Sequence, residues 1–157
     1  MKKAAILSKT LCLEKVFEID RHDELLFISI QPRFSELIRI GSKTVELRKK
    51  KPKLISKFAM IYESSPKQTV SFLIKIKKID AAPKSVIWKR YRKKCCISKK
   101  YFNEYYKGSK HGVAILIEKV VPLGKEVSRK ILAECNLLPP QDYRYASKQE
   151  IMNIMRC

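Results

Sequence analysis

Residues 41–48 (Gly-Ser-Lys-Thr-Val-Glu-Leu-Arg) bring together side chains that can bind or transform an anionic ligand. The lysine can contact a phosphate or act as a catalytic ammonium, and the arginine can hold an oxyanion with two parallel hydrogen bonds. Glu46 can remove a proton from a ribose 2′-hydroxyl or a water as a general base. It can equally form a structural ion pair with Lys43 or Arg48, and the sequence leaves both interpretations open.

The elements around this segment predict a junction between a helix and a strand. An apolar run ends at Gly41, which indicates a helix from Pro32 to Ile40 with proline in its first turn and glycine at its C-terminal cap. An apolar strand over 26–30 precedes this helix, and a strand over 44–48 follows it. A basic loop, 49–57, then leads to a buried strand over 58–62. Chain segments between regular elements often carry functional side chains.

The rest of the chain alternates short strands with helices. Residues 69–79 predict a strand with Val70, Phe72, Ile74 and Ile76 on one face. Further helices are predicted over 84–94, 98–107, 127–135 and 148–155, with a strand over 113–121. Because strands and helices do not alternate regularly, the pattern favours the α+β class. We predict a small β-barrel of five to six mostly antiparallel strands decorated by helices.

Charge divides the chain into two parts. The 157 residues hold 35 Lys and Arg against 15 Asp and Glu, a formal net charge of +20. Residues 1–24 are balanced, so we treat them as an N-terminal extension with a helix from about residue 4 to 16, and 25–157 as one domain with a C-terminal helix. The stretch 84–100 contains eight basic and no acidic side chains. Such an excess attracts polyanions and predicts a nucleic-acid partner.

The cysteine and hydropathy patterns argue against disulfide-bonded, zinc-binding, membrane-spanning and secreted proteins. The five cysteines are scattered, and the adjacent Cys95 and Cys96 fit neither a simple disulfide nor the spaced pair of a zinc site. We therefore expect reduced thiols, no metal, no cofactor and a cytoplasmic location. No apolar stretch approaches the ~20 residues of a membrane span. The apolar run after Met-Lys-Lys is broken by Lys9, so we expect no secretory signal.

Three motifs in order resemble a known family. They are residues 32–48 with the pattern Gly-x-Lys-Thr-x-Glu-x-Arg, residues 61–66 ending in Ser-Ser-Pro, and Pro-Pro-Gln at 139–141. Together they resemble the ASCH domain of the PUA-like superfamily, in the branch labelled predicted transcriptional regulators, over about residues 25–146. The resemblance implies a β-barrel with a cleft beside the Gly-x-Lys-Thr loop. It also implies RNA or a modified nucleoside as ligand.

The resemblance carries two possible chemistries. Some ASCH relatives are amidohydrolases that deacetylate a modified cytidine with a lysine, a threonine and a glutamate. The lysine falls on Lys43, but the threonine position is occupied by Glu46, so this mechanism does not transfer. Other relatives are described as ribonucleases, which leaves hydrolysis of the RNA backbone open.

We therefore expect an RNA-binding ASCH protein with a basic cleft for single-stranded RNA or a modified nucleoside. The alternatives are a hydrolase that uses Lys43 and Glu46, either a ribonuclease or an amidohydrolase, and a DNA-binding regulator. RNA is the expected partner, DNA is the alternative, and the oligomeric state is open. The candidate nucleic-acid contacts are Arg33, Lys43, Thr44, Arg48, Lys49, Lys50, Lys51, Ser64, Ser65, Lys67, Arg90, Lys93, Tyr143 and Arg144.

Aromatic residues also accompany the basic ones. Trp88 and Tyr91 are three residues apart on a predicted helix, so we expect their rings in the core and the neighbouring cations in solvent. Phe102, Tyr105 and Tyr106 are interpreted in the same way. Pro-Pro-Gln is predicted to turn over the cleft and to place Tyr143 against the ligand.

Overall fold

A computed structural model describes residues 23–54 and 56–157, together with residues 13, 15, 16 and 18. In this part of the chain six strands form one sheet in the order β2-β5-β4-β3-β1-β6. The strands are β1 (Glu24–Ile30), β2 (Val45–Arg48), β3 (Phe58–Glu63), β4 (Thr69–Pro83), β5 (His111–Ser128) and β6 (Tyr143–Ser147). The helices are α1 (Pro32–Arg39), α2 (Lys84–Tyr91), α3 (Lys99–Tyr105), α4 (Arg129–Glu134) and α5 (Lys148–Arg156). The predicted α+β class is confirmed.

The sheet is mixed and open. β1 pairs with β3 in parallel, and the other neighbouring strands are antiparallel. β2 and β6 are the two edges and do not pair with each other, so the prediction of a closed barrel is corrected. Tyrosine side chains of β6 instead contact the loop that follows β2. The Tyr145 hydroxyl accepts from the Leu54 amide at 2.8 Å, and the Tyr143 hydroxyl donates to the Lys51 carbonyl at 3.3 Å.

The proline, glycine and serine residues that the sequence places at helix ends lie at or beside the observed ends. α1 begins at Pro32, and Gly41 just beyond it has φ +81°, a conformation that favours glycine. Ser98 caps α3 by accepting from the Tyr101 amide. α2 ends at Tyr91, three residues earlier than predicted.

β4 and β5 differ from their predicted forms. β5 continues beyond Pro122, where the prediction had ended at residue 121. Proline is tolerated there because the β4–β5 register shifts between Val70 and Phe72, and prolines within sheets favour such irregular positions. The same shift places Val70 in a different apolar cluster from Phe72, so the expected single face of β4 is wrong at that residue.

Three buried clusters support the fold. Leu25, Phe27 and Met60 of β1 and β3 pack with α4 and α5, whereas Leu26, Ile28 and Ile61 pack with α1. The third cluster joins β2 to α2 and α3. As expected, Tyr91 is buried and Trp88 packs on this cluster, while Lys89, Arg90 and Lys93 are exposed.

The N-terminal extension is described at few positions. Leu13 and Val16 are helical and lie in the first cluster. Most of the helix predicted over 4–16 lies outside the described residues. No helix in the described ranges is long and apolar enough to cross a bilayer.

Candidate functional site

A cavity of about 490 Å³ lies beside the end of β2, where residues from distant parts of the chain converge. β1 and the start of α1 supply one wall, and the stretch from Ile97 through α3 supplies another. Its lining residues are Ser29, Ile30, Gln31, Phe34, Lys43, Glu46, Leu47, Arg48, Lys49, Lys50, Ser64, Ile97, Tyr101, Tyr105, Gln141 and Asp142.

Glu46 lies between two buried cations in this cavity. Its Oε2 is 3.3 Å from Lys43 Nζ, and its Oε1 is 2.9 Å from Arg48 Nη2. The three side chains are 3%, 10% and 8% exposed for Lys43, Glu46 and Arg48 respectively. Lys43 Nζ also donates to the Cys95 carbonyl at 2.6 Å. Burial of all three charges is tolerated because each one has a partner of opposite sign.

The backbone explains this convergence. Side chains two residues apart in a strand share a face, so Glu46 and Arg48 both reach the cavity. Val45 and Leu47 pack with α2 and α3, and Leu47 also contributes to the cavity lining. Lys43 precedes β2, and its amide donates to the Leu37 carbonyl at 2.9 Å. The chain bend at Gly41 thus brings the ammonium to the same carboxylate.

Arg48 also connects β2 to the opposite edge of the sheet. Its Nη1 is 2.6 Å from Asp142 Oδ1, and its Nη2 donates to the Ser29 carbonyl at 2.8 Å. Burial opposes the charge of the guanidinium, but Glu46 and Asp142 outweigh it and raise the pKa of Arg48. In the described part of the chain the buried Nε–H of Arg48 has no hydrogen-bond partner. A buried donor of this kind is costly unless a ligand or water accepts from it.

Aromatic rings form the apolar side of the cavity. The Phe34 ring lies 5.3 Å from Lys43 Nζ and meets the Tyr101 ring edge-on, with centroids 5.7 Å apart. Burial raises the pKa of Tyr105 to about 12, so its phenol keeps its proton at neutral pH. The Tyr106 hydroxyl donates to the Arg48 carbonyl at 2.9 Å and fixes the end of β2 against α3.

The cavity floor is balanced in charge, whereas its rim is positive. Lys43 and Arg48 face Glu46 and Asp142, two cations against two carboxylates. Lys49 and Lys50 line the cavity and are exposed. The rim can therefore attract an anionic chain, while the floor offers fixed donors and acceptors to a neutral polar group.

The predicted residues fall into three groups. Lys43, Glu46, Arg48, Lys49, Lys50 and Ser64 line the cavity. Arg33, Thr44, Lys51 and Ser65 are neighbours in sequence of lining residues, and Arg33 and Lys51 are exposed. The others have partners elsewhere or lie apart from the lining: Lys67 with Glu63, Arg90 with Asp80, Arg144 with Glu150, Tyr143 with the Lys51 carbonyl, and the exposed Lys93.

Sequence reasoning did not select several lining residues. Asp142 follows Pro-Pro-Gln directly and is absent from the predicted contacts, because its contact with Arg48 spans 94 positions. The sequence predicts Tyr105 in the core together with Phe102 and Tyr106, and it gives no prediction for Tyr101. Phe34 was interpreted only as a helix residue. The signal that points to Phe34 is its place on the helix that ends at Gly41, because the chain bend there returns Lys43, nine positions later, toward the same helix.

A second buried carboxylate lies close by in sequence but belongs to a different cluster. Glu63 accepts from Ser35 at 2.7 Å and pairs with Arg39 and Lys67, both at 2.9 Å. Burial favours the neutral acid, but Ser35, Lys67 and Arg39 outweigh it and hold the pKa of Glu63 below its usual value.

Comparison with known proteins agrees with this architecture. No family model matches the sequence. An ASCH domain-containing ribonuclease of Zymomonas mobilis is 26% identical over 132 residues, which cover 82% of this chain and 88% of that protein. The crystal structure of ASCH from the same organism superposes with a TM-score of 0.75 at 25% identity, covering 83% of this chain and 93% of that one.

A mutant of the Zymomonas protein superposes equally well, with a TM-score of 0.75 and 26% identity over 83% of this chain and 94% of that one. None of these comparisons distinguishes the branch labelled transcriptional regulators, which stays a prediction. The relative and the crystal structures together support an ASCH domain over most of this chain.

Proposed function

We propose that this protein binds single-stranded RNA, with one nucleotide in the cavity and the backbone across the basic rim. The observation that carries the proposal is the charge-balanced cavity floor, with Lys43, Glu46 and Arg48 buried, beside the exposed Lys49 and Lys50. A base presents donors and acceptors of the kind that Lys43, Glu46 and Arg48 can pair with. The exposed Lys49 and Lys50 are placed to neutralise phosphates.

The unpartnered Nε–H of Arg48 supports a polar ligand at the floor. This group is buried and belongs to a lining residue, so an acceptor atom of a ligand would remove the cost of leaving it unpaired. Phe34 and Tyr105 offer apolar surface to the faces of a base.

Cleavage of the RNA is the second candidate, because the Zymomonas relative is named a ribonuclease. In this reaction Glu46 would take the proton of a ribose 2′-hydroxyl, and the 2′-oxygen would attack the adjacent phosphorus. The bond from phosphorus to the 5′-oxygen would break, and Lys43 would give that oxygen its proton. The products are a 2′,3′-cyclic phosphate and a 5′-hydroxyl, and Arg48 would stabilise the charge on phosphorus.

The test measures binding and cleavage of one labelled single-stranded RNA without added metal. We compare wild type, Lys43→Met, the double variant Lys49→Ala/Lys50→Ala, and the control Lys130→Ala, whose side chain is 85% exposed on α4. Phosphate neutralisation predicts that affinity falls steeply with salt and that the double variant lowers the slope by about two. Because Lys49 and Lys50 are exposed, this variant should fold normally.

The outcomes separate the candidates. Intact RNA with salt-dependent binding supports a binding protein, whereas products that disappear in Lys43→Met support a ribonuclease. Binding that is weak and insensitive to salt would contradict both. Tighter binding to duplex DNA than to the RNA at matched salt would favour the DNA-binding alternative instead.

A further inference from the structure

α3 presents two tyrosines to the cavity and two rings to the core. Tyr101 and Tyr105 are one turn apart and line the cavity. Phe102 and Tyr106, offset by one residue, are buried in the third cluster. The buried pair fixes the rotation of the helix, so the orientation of the lining pair is set by the core rather than by a ligand.

Phe34 connects the buried Lys43 to an exposed arginine and to Tyr101. The Phe34 ring contacts Lys43 Nζ at 5.3 Å and the exposed Arg33 guanidinium at 4.4 Å. That guanidinium is also 5.2 Å from the Tyr101 ring centre. Phe34 therefore contacts both the buried floor and an exposed cation–ring unit, Arg33 with Tyr101, which we call the rim pair.

We propose that the rim pair is a second base subsite, which stacks the nucleotide next to the one held in the cavity. The inference rests on the proposed RNA-binding function. Unpaired bases stack on tyrosine rings and on guanidinium planes, and a half-buried ring held by Phe34 loses little freedom on binding. Lys49, 5.2 Å from the Tyr105 ring, is placed to contact a phosphate of the same strand.

This arrangement predicts a dependence on ligand length. A single nucleotide fills the cavity alone, whereas a dinucleotide also gains the stacking contact. Stacking on an aromatic side chain changes affinity by about 5- to 150-fold per base. The protein should therefore bind a dinucleotide at least about fivefold more tightly than a mononucleotide at equal salt.

The experiment uses 2′-fluoro oligonucleotides of one, two and six nucleotides, which lack the attacking hydroxyl, as competitors of a labelled six-mer. The proteins are wild type, Tyr101→Ala, Tyr101→Phe, Arg33→Ala and Lys43→Met, each checked by thermal denaturation. We expect Tyr101→Ala to remove the gain from one to two nucleotides, so that its affinities for the two competitors become equal. Tyr101→Phe should keep the gain, and Arg33→Ala should reduce it.

The result separates this inference from the function on which it rests. Lys43→Met should weaken all three lengths alike if the cavity holds a nucleotide. An unchanged gain in Tyr101→Ala, or an equal loss at all lengths, overturns the subsite while the cavity site stands. If wild type binds none of the three probes, the proposed function and the subsite are both wrong.

Discussion

Glu46 and Glu63 are both buried carboxylates paired with two cations, and they differ in what else surrounds them. Glu63 also accepts from hydroxyls of Ser35, Thr69 and Ser71. Among the described residues Glu46 has its two cations and otherwise lines the cavity. A saturated carboxylate stabilises the fold, whereas one with free acceptor positions beside a cavity can also serve a ligand.

The cations that pair with the two carboxylates also differ in their exposure to solvent. The cations of Glu63 are each 33% exposed, so they can be hydrated if the carboxylate is removed. Lys43 is 3% exposed, so its ammonium has much less access to water when the carboxylate is removed. The two clusters should therefore respond differently to the loss of their carboxylate.

The largest change in the free energy of unfolding is expected for substitution of Glu46. Glu46→Gln leaves the buried Lys43 ammonium without its counterion, which should lower the free energy of unfolding by about 3 kcal/mol. Adding Lys43→Met removes the stranded charge and should recover most of this loss. Urea denaturation of the single and double variants measures both values. Equal stabilities of these two variants would show that the cavity hydrates Lys43.

Glu63 should show a smaller loss with a defined pH dependence. Glu63→Gln removes charge-assisted hydrogen bonds and should cost about 2 kcal/mol at pH 7. Because the folded pKa of Glu63 is lowered, its contribution is complete above the ordinary carboxyl pKa of about 4.3 and decreases as pH falls through the folded value. The stabilities of wild type and variant should therefore converge under acid.

Denaturation from pH 7 to pH 3 tests this convergence. Glu134→Gln is the matched control, because its carboxylate is 58% exposed and its nearest cation, Lys130, is 4.0 Å away. That variant should change stability by less than about 0.5 kcal/mol at any pH. A difference for Glu63→Gln that stays constant into acid would contradict the lowered pKa.

The two clusters also show what the sequence could and could not predict. Lys43, Glu46 and Arg48 were found because a glycine-ended helix and a strand brought three charges together within six residues. Asp142 was not selected, since its partner is 94 positions away and no local pattern encodes that contact. The ring residues of α3 were ambiguous for a different reason. Rings at 101, 102, 105 and 106 occupy two adjacent helix stripes, and only tertiary packing decides which stripe is buried.

The same distinction explains the strands. Long apolar runs such as those of β1 and β3 were predicted well, because burial on both sides leaves a strong signal. β6 is not among the predicted strands, because its five residues are few and follow directly on the Pro-Pro-Gln turn. Closure of the barrel depends on whether the short edges β2 and β6 pair, and no local sequence pattern in either strand encodes that pairing.

The smallest expected changes in stability and RNA binding come from two serines, one beside Glu63 and one in the cavity lining, and they should distinguish the Glu63 cluster from the cavity. Ser71 Oγ donates to Glu63 at 3.3 Å and accepts from Arg39 at 3.0 Å, so Ser71→Ala should cost about 1 kcal/mol of stability without changing RNA binding.

Ser64, a few residues away on the cavity lining, should behave in the opposite way. Ser64→Ala should leave the free energy of unfolding unchanged and weaken RNA binding by about two- to fivefold. Denaturation and RNA titration of both variants would contradict the division if either serine affected both quantities, because the Glu63 cluster would then be part of the ligand site.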